Sequence, residues 1–351
     1  MKKEKNQNLT LEEKNSKFNS NESGLRNRGV FGLPFSERES KIVLVPVPWE
    51  ATVSYGSGAA LGPKAILNAS RQIDLYDSSF PNFWKMGIAF SDNSQDIFSK
   101  STKTFKKTRK YLQKYAKGVI DHKLQKEINS QCEALNDYVE QKTLGLLNEN
   151  KFVGLVGGEH SVILGYLKAL SAKHQSFGIL QIDAHSDLRK AYEGLKYSHA
   201  SIFYNVLQIK NVKKLAQIGI RDSCEEENDF VKKENQRVKV FSDFNLRKNI
   251  LNGNTWSAEC DKIIAELPKK VYISFDIDGL DPSLCPHTGT PAPGGLTFNE
   301  AMLLIEKIAL SGREIIGFDL CEVAPGQDEW DSNVGARVLY KLCLYAAKTI
   351  K

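Results

Sequence analysis

The chain has 351 residues, of which 41% are hydrophobic and 26% are charged, and its formal net charge is +6. This composition can bury a large core, and the length is compatible with two domains or with one α/β domain. Lysines and glutamates are interspersed, so the sequence predicts neither a nucleic-acid stripe nor a membrane-binding face. The mildly basic charge is interpreted as favouring solubility and not as the sign of a partner.

Cysteine usage and the N-terminus both bear on the cellular compartment. Six cysteines are scattered along the chain without a CxxC pair. The first residues lack the apolar core of a signal peptide, and no apolar run approaches the ~20 residues that span a bilayer. The sequence therefore predicts reduced thiols in a cytoplasmic protein.

The chain divides into two parts by composition. Residues 1–38 are rich in Asn, Ser, Lys and Glu and have almost no apolar periodicity. Such a segment cannot bury enough apolar surface to order itself, so we predict a polar N-terminal extension that is disordered or loosely docked. Residues 39–351 are predicted to form a single domain.

From Lys41 onward, predicted strands alternate with predicted helices. KIVLVPVP (41–48) is a short β-branched run, GPKAILNASRQIDLYD (62–77) has Pro at a helix start, and residues 105–149 are helical. Further strands are predicted at 151–158, 177–185, 212–222, 237–243, 270–282 and 314–325, and the chain ends in a helix. Near-continuous Val/Ile/Leu strands separated by helices indicate a parallel sheet covered on both faces.

Polar groups follow four of these strands. The segments are GGEHS (157–161), DAHSD (183–187), DIDGLD (276–281) and CEVAP (321–325). In open parallel sheets, ligands bind outside the carboxyl ends of the strands. We therefore expect the four segments to converge on one rim of the sheet.

The residue types at this rim indicate a metal centre. Alternate residues of an extended segment point the same way, and carboxylates are almost never buried unless they are paired or bind a metal. Taken singly, each residue is better explained as a buried core histidine or as an aspartate in a turn or cap. Unrelated turns and caps do not easily explain why all these residues follow neighbouring strands, so the combination indicates a metal centre. The candidate ligands are His160, Asp183, His185, Asp187, Asp276 and Asp278.

Six ligands are too many for one zinc ion and suit two divalent ions that share bridging carboxylates. Oxygen-rich ligands without thiolate favour Mn²⁺ or a similar divalent metal over a structural zinc. The expected cofactor is two Mn²⁺ per chain, with Ni²⁺ possible because geometry and availability decide between them.

GGEHS, IDAHSD and SFDIDGLDPS, in this order, resemble the ureohydrolases: arginase, agmatinase and their relatives. The resemblance covers roughly Lys41 to the C-terminus. It implies a three-layer αβα arginase-like fold around a parallel sheet of about eight strands, a binuclear manganese centre that activates water, and a homo-oligomer, either a trimer or a hexamer.

The resemblance also implies roles for individual residues. Asp183 and Asp276 would bridge the two metals, His160 and Asp187 would complete one site, and His185 and Asp278 would complete the other. Asp187 would also orient the attacking water. His199 in YSHAS would be a proton shuttle, and Glu322 in CEVAP would bind the guanidinium group. The ordinary alternatives are a surface histidine in a helix capped by Ser198 and a salt bridge at a strand end.

Two residues depart from the family pattern. Ala200 follows His199 where the family usually has Gly, and a methyl group there would narrow the pocket. Arg189 lies in DAHSDLRKAYEG, and its guanidinium repels a cationic substrate unless it points away or binds an acidic tail. Formimidoylglutamase-like relatives share this Asp-Leu-Arg but typically lack the histidine found here at 199. Arg189 is thus a candidate substrate-binding residue.

The sequence is interpreted as a binuclear-metal hydrolase of a guanidino compound that releases urea and an amine. Agmatine, giving putrescine, is the leading substrate, because PWEATVSYGSGAALGP (48–63) resembles agmatinase-like members and LRKAYEGLKY does not resemble the arginase loop. Formimidoylglutamase, guanidinobutyrase, guanidine hydrolase and arginase activities remain open. A one-zinc deacetylase of the same fold and a non-catalytic binding protein are the further alternatives.

Overall fold

A computed structural model describes residues 9–22, 29–91 and 94–350. Within them, eight strands form one sheet in the order β2-β1-β3-β8-β7-β4-β5-β6, and all pairs are parallel. The strands are β1 Ile42–Val47, β2 Ile88–Phe90, β3 Phe152–Gly157, β4 Phe177–Ile182, β5 Val212–Ile218, β6 Val238–Phe241, β7 Lys270–Asp276 and β8 Glu314–Cys321. The predicted parallel sheet of about eight strands is confirmed.

Seven of the eight strands coincide with predicted ones, and β2 was missed. With only three residues, β2 is too short to show an apolar pattern. It pairs with Ile42–Leu44 of β1 and extends no further. Pro46 therefore lies where β1 has a strand on one side only, which is where a sheet tolerates a residue without an N–H group.

Eleven α-helices are described, and 3₁₀ turns add short segments between them, among them His160–Ile163, His199–Ser201 and Ile277–Gly279. The α-helices are α1 Leu11–Lys17, α2 Gly62–Ala69, α3 Gln95–Tyr115, α4 His122–Asn148, α5 Leu164–Lys173, α6 Ile202–Val206, α7 Glu225–Lys233, α8 Asp243–Leu251, α9 Trp256–Ala265, α10 Phe298–Leu310 and α11 Trp330–Thr349. The helix predicted over 62–77 is shorter, and the region predicted over 105–149 is two helices separated at Gly118, whose φ is 77°.

Two apolar cores lie on the two faces of the sheet, so the molecule has three layers. One core contains Ile66, Ile263, Ile305 and Leu339, from α2, α9, α10 and α11. The other contains Ile97, Val139, Leu167 and Phe203, from α3, α4, α5 and α6. Both faces are covered, which explains why the strands are apolar almost throughout.

The first 38 residues include buried side chains. Val30, Phe31, Leu33 and Phe35 are buried in the first core, and the Phe31 ring lies 5.0 Å from that of Tyr340. Of the range 1–38, residues 9–22 and 29–38 are described, and the rest of the predicted extension lies outside the described residues. The burial differs from the loose docking that the sequence predicts, because VFGLPF supplies apolar groups within a polar segment. The domain division at residue 38 stays a prediction.

Two further features concern the whole described chain. All six cysteines are unpaired, and five of them are buried. Among the described residues, no helix combines the length and the apolar character needed to cross a membrane.

Candidate active site

The four polar segments leave neighbouring strands. In the sheet, β3, β8, β7 and β4 are adjacent in that order, and they are followed by GGEHS, CEVAP, DIDGLD and DAHSD respectively. Because all these strands are parallel, their carboxyl ends meet at one edge. The convergence expected from the sequence is therefore present in the fold.

His160 lies at the centre of a first group of carboxylates. Its Nδ1 is 3.1 Å from Asp183 Oδ2, 3.2 Å from Asp276 Oδ2 and 3.6 Å from Asp187 Oδ2. All four side chains are buried. One imidazole nitrogen thus faces three carboxylate oxygens, a donor set that suits a divalent cation.

His185 forms a second group beside the first. Its Nδ1 is 3.0 Å from Asp278 Oδ2 and 3.7 Å from Asp183 Oδ1. Asp183 therefore turns one oxygen towards His160 and the other towards His185. Asp276 turns Oδ2 towards His160, while its Oδ1 accepts the N–H of Asp278 at 3.0 Å. The structure brings all six predicted ligands together, with Asp183 between the two groups.

The backbone reaches this arrangement by a turn and not by continued strand. β4 ends at Ile182, three residues before the predicted end at 185, and the His185 N–H donates to Asp183 Oδ1 at 2.6 Å. Asp187 has φ 54°, in the left-handed region that non-glycine residues seldom adopt. Strand alternation was thus the wrong reason for expecting Asp183, His185 and Asp187 to converge, although they do.

Without a cation the cluster concentrates buried negative charge. Burial raises the pKa of Asp276 and Asp187 well above the ordinary value. Asp278 and Asp183 raise the pKa of Asp276 further, and Asp183 raises that of Asp187. Burial opposes ionisation of Asp183 as well, but in the metal-free protein hydrogen bonds and charge from the protonated forms of His160 and His185 lower its pKa overall. Bound cations would balance the negative charge of such a set of groups.

His160 gives a direct test of whether a metal fits. Its Nε2 lies 2.8 Å from Ser274 Oγ, and Ser274 in turn donates to Asp319 Oδ2 at 2.7 Å. The Ser274 oxygen therefore accepts from Nε2–H. Nδ1 is buried and forms no hydrogen bond of good geometry, and in the neutral ring that binds a metal it carries a lone pair. A lone pair aimed at three carboxylates is what a metal ligand presents, so the residues fit a divalent ion.

A cavity of about 430 Å³ opens above the cluster. Its wall includes the predicted site residues His185, Asp187, Arg189, His199, Asp276, Asp278 and Glu322. The remaining wall comes from the loops around Tyr55, Tyr192, Ser223 and Thr290. The predicted catalytic and substrate-binding residues therefore face one space with the metal-ligand candidates.

His199 lies at the start of a 3₁₀ turn above the cluster. Its N–H donates to Thr52 Oγ1 at 3.3 Å, and its ring is 6.1 Å from that of Tyr192. Ser198 forms no side-chain cap bond, so the alternative of a capped surface helix is not what is found. Burial, together with His185 and His160, lowers the pKa of His199 to about 4, whereas the sequence interpretation assumed the ordinary value.

Glu322 is a buried carboxylate at the end of β8. It is 8% exposed, has φ 63°, and accepts the N–H of His160 at 2.8 Å through Oε1. Burial and, after it, the charge of Glu159 raise the pKa of Glu322 to about 8. It forms no ion pair with any described residue, which argues against the alternative of a strand-end salt bridge. Its second oxygen is available to a cationic ligand.

Arg189 is held at the side of the cavity. Its Nε is 3.9 Å from Glu227 Oε2, and its guanidinium lies 5.1 Å from the centre of the Tyr192 ring. Glu227 already accepts the N–H groups of Leu188 and Cys224. The positive charge of Arg189 is thus partly offset by its neighbours and still lines the cavity.

Four residues of this site were not predicted as functional. Ser274 contacts His160 Nε2 and donates to Asp319, and Thr52 donates to Glu159, the residue before His160. Glu159 lies in the motif GGEHS, directly before the candidate ligand His160, so its position in the sequence could have indicated that it belongs to the site. Thr52 lies 107 residues from Glu159, and the sequence carries no sign of their contact.

Residues 40–345 match the family model described as "Arginase family". The chain belongs to the Arginase family. It is accordingly a ureohydrolase, a hydrolase that acts on linear amidine C–N bonds, and the resemblance inferred from its motifs is confirmed.

Individual relatives agree with this Arginase-family membership. The N(1)-aminopropylagmatine ureohydrolase of Synechocystis sp. is 29% identical over 88% of this chain and 90% of its own length. The agmatinase of Bacillus cereus is 29% identical over 84% of this chain and 88% of its own length. The solved agmatine ureohydrolase of Thermoplasma volcanium covers 95% of this chain and 97% of its own with a TM-score of 0.70 and 24% identity, a likeness of fold.

Proposed function

We propose that this chain is a binuclear-metal hydrolase that converts a guanidino compound to urea and an amine, with agmatine as the substrate and putrescine as the amine product. The observation that carries the proposal is the position of Asp183, whose two oxygens face two different histidines at 3.1 and 3.7 Å. A carboxylate placed in this way suits two cations that share it.

The proposed ligands divide between two ions. His160 and Asp187 would hold one, His185 and Asp278 would hold the other, and Asp183 and Asp276 would contribute to both. Two divalent cations, Mn²⁺ first and Ni²⁺ as the alternative, would supply Lewis-acid activation of water and substrate when bound. The deacetylase alternative requires one zinc, and the orphaned Nδ1 of His160 together with the second group at His185 favours two ions.

Glu322 is proposed to bind the guanidinium group. It is buried, it has no cationic partner among the described residues, and its pKa is raised to about 8 mainly by burial. A guanidinium cation would restore the ionised carboxylate, because an opposite charge within a few ångströms favours the charged form. The resulting charge-assisted contact is of the strong kind and would hold the substrate carbon over the metal cluster.

The remaining steps involve Asp187 and His199. Asp187 would accept a hydrogen bond from the attacking water and orient it towards the guanidinium carbon. Burial keeps His199 uncharged at neutral pH, so it would accept the proton that the attacking water releases and then donate this proton to the departing amine nitrogen. One C–O bond forms and one C–N bond breaks, and the products are urea and a protonated amine.

Recognition of the substrate tail is the finer part of the proposal. The names of the relatives favour agmatine or an agmatine derivative. Arg189 favours a second candidate, a substrate with a carboxylate such as guanidinobutyrate or formimidoylglutamate, because its guanidinium lines the cavity. Its contacts with Glu227 and Tyr192 reduce the repulsion of a cationic tail, which is why agmatine stays first.

The test is product release by metal-loaded protein. Protein loaded with Mn²⁺ or Ni²⁺ is incubated with agmatine, arginine, guanidinobutyrate or guanidine, and urea is measured; formimidoylglutamate is followed by formamide. We expect the highest kcat/KM for agmatine and two metals per chain by elemental analysis. One zinc per chain would support the deacetylase, and unchanged substrates in every assay would support a non-catalytic binding protein.

The proposal also includes a cytoplasmic location and assembly into a trimer or hexamer. Light scattering after gel filtration measures the assembly. A monomer at working concentration would contradict that part and leave the chemistry intact.

A further inference from the structure

Glu159 is a fully buried carboxylate that has no part in the proposed chemistry. It accepts three hydrogen bonds, from Thr52 N–H at 2.9 Å, from Thr52 Oγ1 at 2.9 Å and from Ser161 Oγ at 2.7 Å. No cation of the described residues pairs with it. Two of the three bonds go to a single residue, so Glu159 fixes both the backbone and the side chain of Thr52.

Thr52 connects Glu159 to His199. The Thr52 side chain is buried, and its Oγ1 lies 3.3 Å from the backbone nitrogen of His199. A hydroxyl has one hydrogen and two lone pairs. Because the hydrogen is donated to Glu159, a lone pair is left to accept the His199 N–H. The orientation of the hydroxyl is thus set by Glu159.

The N–H of His199 needs such an acceptor. His199 is the first residue of a 3₁₀ turn, and the first N–H groups of a helix have no partner within it. The preceding residue, Ser198, ordinarily supplies a side-chain cap, but it forms none here. The Thr52 hydroxyl therefore satisfies from outside a group that the local sequence leaves open.

The backbone at Glu159 is held by its contacts with Trp49. The Glu159 N–H donates to the Trp49 carbonyl at 2.8 Å, and a Cβ added to Gly158 would lie 2.0 Å from the same oxygen. Only glycine permits this approach of the two backbones. The next residue, His160, donates its N–H to Glu322 at 2.8 Å. One short loop thus contacts the candidate metal ligands, the proposed substrate-binding residue Glu322 and Thr52.

We propose that Glu159 is a positioning residue for His199, acting through the Thr52 hydroxyl. The Glu159–Thr52 pair holds the start of the His199 turn, and so the imidazole, at a fixed height above the metal cluster. The inference rests on the proposed function in taking His199 as the proton shuttle. Proton transfer depends steeply on the distance and alignment of donor and acceptor, so a small displacement of His199 slows the chemical step without weakening substrate binding.

The central variant is Thr52→Val, which keeps the size of the side chain and removes the hydroxyl. We expect kcat to fall about 10- to 100-fold, with KM and metal content unchanged. Thr52→Ser retains the hydroxyl and is expected to restore kcat to within about threefold of wild type. Thr143→Val is the matched control, because Thr143 is a buried threonine in α4 whose hydroxyl donates only within its own helix.

A double-mutant cycle separates positioning from general damage. If Thr52 acts through His199, Thr52→Val has no further effect on kcat in a His199→Ala background, since the group it positions is gone. Glu159→Gln, which turns one acceptor of the carboxylate into a donor, is expected to lower kcat in the same way; because it also removes the charge that raises the pKa of Glu322, only its effect on kcat is compared. Three results would overturn the proposal. They are full additivity of Thr52→Val and His199→Ala, loss of metal in Thr52→Val, and a fall of kcat in Thr52→Ser as large as that in Thr52→Val.

A readout without turnover keeps this inference separate from the proposed function. The chain has six histidines, and the ring signals of His199 in an NMR spectrum are identified by their loss in His199→Ala. We expect Thr52→Val to shift the His199 signals and to leave those of His287 in place. Unmoved His199 signals refute the positioning even if wild type is active. Shifted signals with no urea release from any substrate refute the function and leave the positioning standing.

Discussion

Strand β4 and the loop that follows it lie at similar depth and are filled by opposite kinds of side chain. Within β4, Phe177, Ile179 and Leu180 are fully buried and apolar. Directly afterwards, Asp183 and Asp187 are 0% and 6% exposed and carry carboxylates. Burying each apolar side chain stabilises the fold by about 1.5–3 kcal/mol, whereas burying an uncompensated carboxylate costs free energy.

The residues that stabilise the fold and the residues proposed to carry the chemistry are therefore adjacent along the chain. The interior of the strand orders the sheet, and the sheet places charged groups in positions that they would not hold by themselves. Left-handed backbone at Asp187 and Glu322 belongs to the same rim and adds strain there. Substitutions in the two regions should therefore separate metal binding and activity from folding stability.

The largest effect is expected from removing the shared carboxylate. Asp183→Ala should lose both metals and lower kcat/KM by about 10³-fold or more, since metal ions contribute several kcal/mol of transition-state stabilisation. Elemental analysis and urea release measure the two effects. Asp281→Ala is the matched control, because Asp281 stands in SFDIDGLDPS but accepts from Ser283 in an exposed turn. Retention of two metals by Asp183→Ala, or by Asp276→Ala, would contradict the bridging roles.

A substitution inside β4 should have the converse effect. Leu180→Ala removes a fully buried side chain and should lower the free energy of unfolding by about 3 kcal/mol through lost burial and a residual cavity. Metal content and kcat/KM should stay within about threefold of wild type below the melting temperature. Denaturant unfolding gives the stability. A loss of metal equal to that of Asp183→Ala would mean that the two regions are not separable.

Glu322→Gln should affect the substrate and spare the metals. The amide keeps an oxygen for the His160 N–H, so the local fold is retained, but the negative charge is lost. We expect kcat/KM for agmatine to fall about 10²-fold, which corresponds to about 2.7 kcal/mol, with two metals still bound. Glu259→Gln, at a buried glutamate of α9 paired with Lys262, serves as the control. An unchanged KM and kcat would remove Glu322 from substrate binding.

The sequence predicted the stabilising region and the residue types at the rim better than it predicted the geometry between them. Seven strands were visible because β-branched runs are long enough to stand out, whereas Ile88–Phe90 is too short. The six candidate ligands were found because His and Asp recur after several strands. Their convergence comes from strand order and from the turn at 183–187, which spacing alone does not encode.

Other features of the site depend on distant partners. The raised pKa of Glu322 arises from burial and from Glu159, and the lowered pKa of His199 from burial and two histidines, so neither was predictable from local sequence. The contact of Thr52 with Glu159 joins residues 107 apart. Likewise, Phe31 of VFGLPF packs against Tyr340 of α11, a residue far away in the sequence.

A smaller effect is expected on the free energy of unfolding of the metal-free protein, in which the buried carboxyl groups at the rim have no metal to bind. Asp276→Asn removes a buried carboxyl group whose ionisation is opposed by burial and by its neighbours, so it should stabilise the metal-free protein by about 1–2 kcal/mol at pH 7 while abolishing metal binding. The pKa of Asp276 is raised in the folded state, so folding of wild type binds a proton and loses stability as pH rises above about 4. The advantage of Asp276→Asn should therefore grow from pH 4 towards pH 7, as followed by denaturant unfolding. A difference in free energy of unfolding that stays constant across this range would mean that the pKa of Asp276 is not raised by folding.

The smallest effect is expected at the periphery, where a carboxylate is stabilised instead of strained. Hydrogen bonds from Lys341 and Ser79 outweigh the effect of burial on Asp77 and lower its pKa to about 2. A lowered pKa gives stability that is present above the unfolded value of about 3.8 and is lost as pH falls towards 2. Asp77→Asn should cost about 1 kcal/mol at pH 7, because the pair is only partly buried, and this cost should vanish near pH 2. Unfolding curves of the two proteins between pH 7 and pH 3 measure the difference, which has the opposite pH dependence to that at Asp276. If both variants responded to pH in the same direction, the contrast between a rim that strains its carboxylates and a surface that stabilises them would not hold.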